Sequence, residues 1–160
     1  IDLNTIEEIN VNEVSSTTSK DFFIDTGSPH HVRILDNTND NQEFFNNTDE
    51  IRKIGSSITH SKHYSPNQTN TNFSFNSKSK NNRYKLRTFE RGVDDVTLAC
   101  GTGTVAVAAV LIKLMLTDQI ENIPDILSFD VDGGALDVLF TIDRENQTLT
   151  DVQLRGAAQQ

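Results

Sequence analysis

Cysteine is nearly absent from this chain, because Cys100 is the only one among 160 residues. A single thiol excludes an internal disulfide and any structural zinc site that is built on several cysteines. A lone cysteine also fits a reducing compartment, and we therefore expect a cytoplasmic protein. If Cys100 has a function, it acts as an isolated thiol.

Basic residues are scarce as well. The chain has 14 Lys and Arg against 23 Asp and Glu, which gives a formal net charge of −9. Binding to nucleic acid or to anionic lipid depends on Lys and Arg that neutralise phosphate groups. Neither nucleic acid nor a membrane surface is therefore an expected partner.

Long hydrophobic runs are also missing. The longest run, over residues 105–116, is interrupted by Lys113 and is shorter than the roughly 20 residues that cross a bilayer. The N-terminal segment carries Glu7 and Glu8 where a signal peptide has basic residues. The sequence therefore predicts neither a membrane span nor a secretion signal.

The hydrophobic pattern indicates several strands and one buried helix. Strand patterns occur at residues 21–36 around a Gly-Ser-Pro turn, at 84–89, at 129–131 and 136–142 around an Asp-Gly-Gly turn, and at 148–154. These patterns are the alternation and turn chemistry of β-structure. Residues 104–116 are apolar on nearly every side, which predicts a helix surrounded by protein.

Two further segments complete this prediction. Ile51, Ile54 and Ile58 are three and four residues apart, which predicts an amphipathic helix over 46–58. Residues 59–82 are rich in Ser, Asn, Lys and Thr, so most of them are expected in a polar loop, with room for a short strand around 72–75. No internal repeat or linker divides the chain, and residues 1–160 are expected to form a single domain.

The segment Cys100-Gly101-Thr102-Gly103 stands directly before the predicted buried helix. The first amides of a helix lack backbone partners and carry the positive end of its dipole, so they favour a thiolate at Cys100. The two glycines let backbone amides approach an anion closely, and Thr102 adds a hydroxyl. A lone cysteine is often only a small apolar side chain, but this setting favours a functional thiol beside an anion site.

Other polar residues are ambiguous when they are taken alone. Glu90 and Arg91 end a predicted strand, where charged side chains are commonly part of the solvated surface. His30 follows a turn and is compatible with a structural role or with support of a site. His60 and His63 are three residues apart but lack an obvious third ligand, so no metal site is predicted.

Taken together, these motifs resemble the C-terminal half of the diaminopimelate epimerase family. The resemblance is carried by Glu-Arg-Gly within residues 88–95 and by Leu-Ala-Cys-Gly-Thr-Gly with the Ala/Val-rich helix that follows. The Gly-Ser-Pro-His turn at 27–30 is similar to the family's Gly-Asn-Pro-His. Residues 69–73 are similar to its Asn-containing strand, and residues 154–158 to its closing Leu-x-Gly-Pro-Ala.

The resemblance implies a cofactor-independent isomerase that interconverts LL- and meso-diaminopimelate for lysine and cell-wall precursor synthesis. In this family two cysteines act on opposite faces of the α-carbon, where one thiolate removes a proton and the other thiol delivers one. The implied fold is α+β, with mixed and antiparallel strands wrapped as a barrel around one central apolar helix. The resemblance implies no metal or cofactor, and it implies a small-molecule substrate, diaminopimelate, as the partner. It is compatible with a homodimer.

Carried over residue by residue, the resemblance assigns Cys100 to one of the two acid/base thiols. Substrate contacts fall on Asn70, Glu90, Arg91, Gly101 and Thr102, and supporting positions on Ser28 and His30. Within the substrate contacts, Gly101 and Thr102 correspond to the α-carboxylate site and Asn70 to the distal end of the substrate.

Three positions depart from the family pattern. Ser28 stands where Asn is usual, Val96 where an acidic residue is common, and Ala157 where Pro is common. The sequence ends at Gln160, before the family's final strand. A same-fold isomerase with another substrate is therefore an alternative, and Ser28 is the residue most able to change specificity.

The N-terminal domain of the family, with the partner cysteine, is not among these 160 residues. We expect this domain to complete the site, and we expect little or no epimerase activity from the present chain alone. An exposed apolar surface is expected where the missing domain docks. A truncated, non-catalytic half-domain is the second alternative.

Overall fold

The computed structural model describes residues 1–9, 19–76 and 82–156. In these residues the strands are β1 (Glu7–Ile9), β2 (Ser19–Asp25), β3 (Pro29–Leu35), β4 (Asn70–Asn76), β5 (Arg83–Glu90), β6 (Asp95–Thr97), β7 (Ile126–Val131), β8 (Gly134–Asp143) and β9 (Thr148–Gly156). The α-helices are α1 (Asn39–Asn46), α2 (Thr48–Thr59) and α3 (Gly101–Thr117). Residues 157–160, which include the departure at Ala157, lie outside the described part.

The strands form one mixed sheet in the order β1-β2-β3-β4-β5-β7-β8-β9, with β6 paired to β5 beside this path. Parallel pairing joins β3 to β4 and β5 to β7, and the other neighbours are antiparallel. The α+β class, the mixed sheet and both predicted hairpins are therefore confirmed.

The predicted closed barrel is not what the structure shows, because the sheet stays open between its end strands β1 and β9. Residues at the start of the chain reach β9 only as an isolated bridge between Asp2 and Thr148. The Ile1 ammonium donates to the Leu149 carbonyl at 2.7 Å beside that bridge. These few bonds draw the two ends together without continuing the ladder, so the sheet is curved but not closed.

Helix α3 lies against the concave face of this sheet and contacts β2, β3, β4, β8 and β9. Its residues from Ala106 to Val110 are fully buried, as is Ile112. Small Ala and Val side chains let the surrounding strands approach the helix on several sides. The prediction of a helix enclosed by protein is confirmed. No helix in the described residues is long and apolar enough to cross a membrane.

Two helices, rather than the single predicted one over 46–58, cover the opposite face of the sheet. Asn47 ends α1 with an extended backbone, and its side chain accepts a hydrogen bond from the Glu50 amide to begin α2. Ile51 and Ile58 of α2 pack in one cluster with Phe73 of β4. The amphipathic pattern located α2, but it missed α1 before the break at Asn47.

The predicted polar loop over 59–82 is wrong for Asn70–Asn76, which form β4 between β3 and β5. This strand is longer than the short one allowed around 72–75. Its polar side chains are buried because they find partners inside the protein: the Ser74 hydroxyl, for example, donates to the Lys85 carbonyl at 2.8 Å. Low hydrophobicity therefore hid a central strand.

Alternation along β3 sends neighbouring residues to the two faces of the sheet. Val32 belongs to the core cluster around α3, as part of the set that faces the helix. Leu35 packs in the other cluster, with residues of α1 and α2. His30 and His31 consequently lie on opposite faces, and only His30 faces the start of α3.

Candidate active site

The candidate active site lies where the start of α3 meets the turn between β2 and β3. Cys100 is the N-cap of α3 and has an extended backbone, with φ −133° and ψ 111°. The first helical hydrogen bond runs from the Thr104 amide to the Cys100 carbonyl at 2.9 Å. The amides of Gly101, Thr102 and Gly103 precede this bond, so they are available to groups outside the helix ladder. The predicted placement of the thiol at a helix N-terminus is confirmed.

The Cys100 thiol is largely buried, with 9% of the residue exposed. Its Sγ lies 3.7 Å from Thr102 Oγ1. Burial raises the pKa of this thiol, although hydrogen bonds from the Gly103 amide and the Thr102 side chain act to lower it. The helix amides thus act in the predicted direction, towards a thiolate, but the loss of solvation outweighs them and the pKa of Cys100 is raised overall.

His30 joins the turn to the start of α3 and is fully buried. Its Nε2 lies 2.9 Å from Thr102 Oγ1 and 3.1 Å from Ser28 Oγ. The hydroxyls of Ser28 and Thr102 are themselves 3.1 Å apart. The structure thus brings the predicted residues Ser28, His30, Cys100 and Thr102 into one hydrogen-bonded cluster.

Asn72 determines which His30 nitrogen carries the proton. Its Nδ2 is 3.0 Å from His30 Nδ1 and donates to the His31 carbonyl, while its Oδ1 accepts from the Thr88 hydroxyl at 2.8 Å. The amide therefore donates to Nδ1, and the His30 proton resides on Nε2. Burial lowers the pKa of His30 to about 4, so the ring is neutral and donates towards Thr102 and Ser28.

Gly103 lies at the closest approach between α3 and this cluster. A methyl group at Gly103 would collide with Asn72 Oδ1 and would lie 3.2 Å from Cys100 Sγ and 3.3 Å from His30 Cε1. Glycine is therefore needed here for packing, in addition to the close approach of an anion that the sequence suggested.

Asn70 connects the turn to the end of β5. Its side-chain amide donates to the Pro29 carbonyl at 3.2 Å, and its Oδ1 accepts from the Arg91 backbone amide at 2.9 Å. The charge of Glu90 is close enough to raise the pKa of Cys100, and the charge of Arg91 acts to lower the pKa of His30. Asn70, Glu90 and Arg91 therefore lie near the Cys100 cluster, and their assignment as substrate contacts stays a prediction.

Two cavities adjoin these residues. A cavity of about 290 Å³ is lined by Thr26, Gly101, Thr102, Val105 and Leu154. A second, of about 530 Å³, is lined by Phe23, Asp25, Pro29, His63, Tyr64, Ser65, Asn67, Gln68 and Arg91. The first opens at the start of α3, and the second contains the Arg91 side chain.

His60 and His63 do not share a helix face. His60 follows the last residue of α2 and its Nε2 lies 3.2 Å from Asp94 Oδ1. His63 lies in a short 3-10 turn and packs edge-on against Tyr64, with ring centroids 4.7 Å apart. The described residues contain no group of three His, Cys, Asp or Glu side chains that could hold a metal ion.

Sequence reasoning missed Asn72 and Thr26. Asn72 anchors His30, and the Thr26 hydroxyl donates to the Thr102 carbonyl at 3.3 Å. The available signal for Asn72 was the alternation in β4. Asn70, Asn72 and Ser74 share one face of this strand, and Thr and Phe residues occupy its other face. Buried amides in a central strand require partners, and here the partner is the predicted His30.

Comparison with known proteins identifies relatives that match most of this chain. The family model for diaminopimelate epimerase matches residues 22–156. The diaminopimelate epimerase of Flavobacterium psychrophilum is 33% identical over 159 residues, which cover 99% of this chain and 53% of that protein. The diaminopimelate epimerase of Hydrogenobaculum sp. is 38% identical over 111 residues, covering 69% of this chain and 36% of that protein.

A solved structure is also similar: a phenazine biosynthesis protein of the PhzF family from Enterococcus faecalis, with a TM-score of 0.46 and 16% identity. The aligned region covers 84% of this chain and 38% of that protein. The present chain spans about half the length, or less, of the curated relatives that it matches. On the family match and the curated relatives, the chain belongs to the diaminopimelate epimerase family.

Proposed function

We propose that this chain is the C-terminal half of a cofactor-independent diaminopimelate epimerase that interconverts the LL and meso forms of its substrate. Cys100 is the acid/base thiol for one face of the α-carbon, and the N-terminal half supplies the second thiol. The observation that carries the proposal is the thiol of Cys100 at the start of α3, hydrogen bonded to Thr102, which is in turn bound to neutral His30.

The protonation states suggest how Cys100 acts. Because burial raises its pKa, Cys100 holds its proton at rest and delivers it to the α-carbon, while the partner thiolate removes the original α-proton. The sulfur then becomes a thiolate. Since His30 Nε2 donates to Thr102 Oγ1, the Thr102 proton is free to point at this sulfur. The Gly103 amide adds a second donor, so the charge is stabilised where it develops.

The substrate carboxylates have two matching locations. The first amides of α3 at Gly101 and Thr102 line the cavity of about 290 Å³ and suit the α-carboxylate, whose charge grows as the α-proton leaves. Arg91 lines the cavity of about 530 Å³ and suits a carboxylate at the distal end of the substrate. Asn70 fixes the backbone between these two locations through Pro29 and Arg91.

The second half of the enzyme has a surface to dock on. Among the described residues, Val93, Leu98 and Leu154 are large apolar side chains with 63%, 46% and 38% exposure. Val93 follows Arg91 closely, Leu98 precedes Cys100, and Leu154 lines the cavity at the start of α3. We propose that the N-terminal half covers these side chains and thereby excludes water from the site.

An isomerase of the same fold with another substrate is the second candidate. Its support is Ser28, whose hydroxyl is occupied by His30 and Thr102 where the family commonly has the longer Asn. A shorter side chain enlarges the site at this position. Activity on diaminopimelate compared with other amino acids separates the two candidates.

The decisive experiment measures exchange of the substrate α-proton in D2O and conversion of LL- to meso-diaminopimelate by NMR. We expect no conversion by this chain alone and conversion when it is joined to the N-terminal half found in its relatives. In the joined protein, Cys100→Ser should reduce the rate by about 10²- to 10⁴-fold, the usual contribution of a positioned acid or base.

Thr117→Ala is the matched control, since Thr117 is an exposed hydroxyl at the opposite end of α3 that binds the Lys113 carbonyl. It should leave the rate unchanged. Conversion by the chain alone at a rate that depends on Cys100, or full activity of Cys100→Ser in the joined protein, would contradict the proposal.

A further inference from the structure

A second group of buried polar side chains lies on the other face of β3, away from Cys100. Asp21 Oδ1 accepts from His31 Nε2 at 2.7 Å and from Arg33 Nε at 2.8 Å. His31 is fully buried and Arg33 is 2% exposed. The Asp21 side chain is 12% exposed. The site described above uses none of these three side chains.

His31 connects Asp21 to Tyr64 by hydrogen bonds. Its Nδ1 lies 2.6 Å from the Tyr64 hydroxyl. Burial raises the pKa of Tyr64, so the phenol keeps its proton. Since His31 donates through Nε2 to Asp21, its Nδ1 is an acceptor and the Tyr64 hydroxyl donates to it. The order of donors is therefore Tyr64 to His31 to Asp21, and the Arg33 guanidinium balances the carboxylate charge.

Tyr64 in turn holds a segment that we name the Tyr64 loop, residues 61–68. The Gln68 amide donates to the Tyr64 carbonyl at 2.6 Å, and the Tyr64 ring packs on Phe23 with centroids 5.6 Å apart. The Asn67 carbonyl of this loop accepts from Arg91 Nη1 at 2.7 Å. The loop thus lines the cavity of about 530 Å³ and binds the guanidinium at its wall.

We propose that His31 is a positioning residue: it fixes Tyr64 and, through the Tyr64 loop, the orientation of the Arg91 guanidinium in that cavity. The assignment of this guanidinium to substrate rests on the proposed function, whereas its tether to the loop does not. A buried ion pair beneath a half-buried tyrosine supplies a rigid anchor, because leaving Asp21 or Arg33 without a partner in the interior is strongly unfavourable.

The test compares Tyr64 with Tyr84, which are the two tyrosines of the chain. Tyr64→Phe removes only the hydroxyl that binds His31. Tyr84→Phe is the matched control, because Tyr84 lies in the other core, beside Phe129. In Tyr64→Phe, amide hydrogen exchange within the Tyr64 loop should become about five- to tenfold faster, as expected for the loss of one hydrogen bond. Tyr84→Phe should leave this exchange unchanged.

Catalysis provides the second readout, measured on the chain joined to its N-terminal half. Tyr64→Phe should raise KM for diaminopimelate about five- to tenfold and change kcat by less than about twofold, because the loosened group binds substrate and does not transfer the proton. His31→Asn keeps an acceptor near the position of Nδ1 but loses the Nε2 bond to Asp21, so its KM should lie between those of the wild type and Tyr64→Phe. His31→Leu removes the acceptor and should resemble Tyr64→Phe.

The outcomes separate this proposal from the proposed function. Unchanged exchange in the Tyr64 loop of Tyr64→Phe overturns the positioning role of His31, whatever the activity. Equal effects of Tyr64→Phe and Tyr84→Phe also overturn it. If exchange rises in Tyr64→Phe alone while the wild-type joined protein has no epimerase activity, the proposed function fails and the tether of Arg91 by His31 is supported.

Discussion

His30 and His31 are neighbours in sequence and both are fully buried, yet their surroundings differ in kind. His30 is bound by uncharged groups, the hydroxyls of Ser28 and Thr102 and the amide of Asn72. His31 is bound by the carboxylate of Asp21. The comparison shows one strand that carries a neutral network on one face and an ionic one on the other.

The difference between the two networks follows from the group that each of them holds in place. The His30 network ends at the Cys100 thiol, whose proton leaves and returns in the function proposed above. Burial and the charge of Glu90 raise the pKa of this sulfur, whereas hydrogen bonds from the Gly103 amide and the Thr102 side chain lower it, so the neutral partners oppose the effect of burial. The His31 network ends at a loop that only needs to be held, and there an ion pair can serve as an anchor.

Loss of the Asn72 side chain is expected to have the largest effect, because it breaks the neutral network at its centre. Asn72→Ala leaves His30 Nδ1, the His31 carbonyl and the Thr88 hydroxyl without this partner. The free energy of unfolding should fall by about 4 kcal/mol, the sum expected for several buried polar groups. Urea unfolding measures this change.

The control for Asn72→Ala is Asn76→Ala, on the same strand but exposed. It should leave the urea midpoint close to that of the wild type. A midpoint for Asn72→Ala that matched Asn76→Ala would show that the neutral network contributes nothing to the stability of this face.

Acidification should weaken the protein through both histidines. The pKa of His30 is lowered by burial to about 4 from the ordinary 6.5, and burial lowers that of His31 too. The unfolded chain therefore binds these protons first, so stability is complete above about pH 6.5 and is lost as the pH falls towards 4. For His30 the loss amounts to about 3 kcal/mol.

Asp21 extends this loss to lower pH. Although burial acts to raise it, hydrogen bonds from His31 and Arg33 hold the pKa of Asp21 below its usual value, so its contribution disappears only on further acidification. Urea midpoints recorded from pH 7.5 to 4 measure the contribution of the histidines, and midpoints at lower pH measure that of Asp21. His30→Gln should flatten the curve between pH 6.5 and 4, and an unchanged slope in that variant would show that His30 does not titrate as described.

Removal of the Ser28 hydroxyl should have the smallest effect on stability, and it tests which hydroxyl orients the His30 ring. In Ser28→Ala the shorter contact between His30 and Thr102, at 2.9 Å, is retained. The free energy of unfolding should change by about 0.5 kcal/mol, as for a partly exposed hydrogen bond. A larger change, measured by urea unfolding, would mean that Ser28 rather than Thr102 orients the ring.

Local patterns revealed much of this molecule. The buried helix α3, the turn before His30 and the position of Cys100 at the helix start each follow from a short stretch of sequence. The raised pKa of Cys100 did not follow, since it depends on how completely the sheet and Glu90 surround the sulfur. Helix amides are a local signal, but burial is a property of the whole fold.

The contacts that sequence reasoning missed are long-range. Asn72 meets His30 from 42 residues away, and Tyr64 meets His31 from 33 residues away. Alternation in β4 is a signal that Asn72 is buried, but nothing near Asn72 or Tyr64 in sequence identifies these partners, and the polar composition of 59–82 indicated exposure to solvent. Only the parallel pairing of β4 with β3, in which His30 lies opposite Asn70, brings the two segments together.

The alternation along β3 has a consequence for how this chain can change during evolution. A one-residue insertion or deletion in the turn at Gly27 and Ser28 would shift the register and exchange His30 and His31 between the two faces. His30 would then lie on the face of Asp21 and Arg33, and His31 would lie on the face of the thiol. A change of side chain in this turn leaves the register intact, whereas a change of its length by one residue does not.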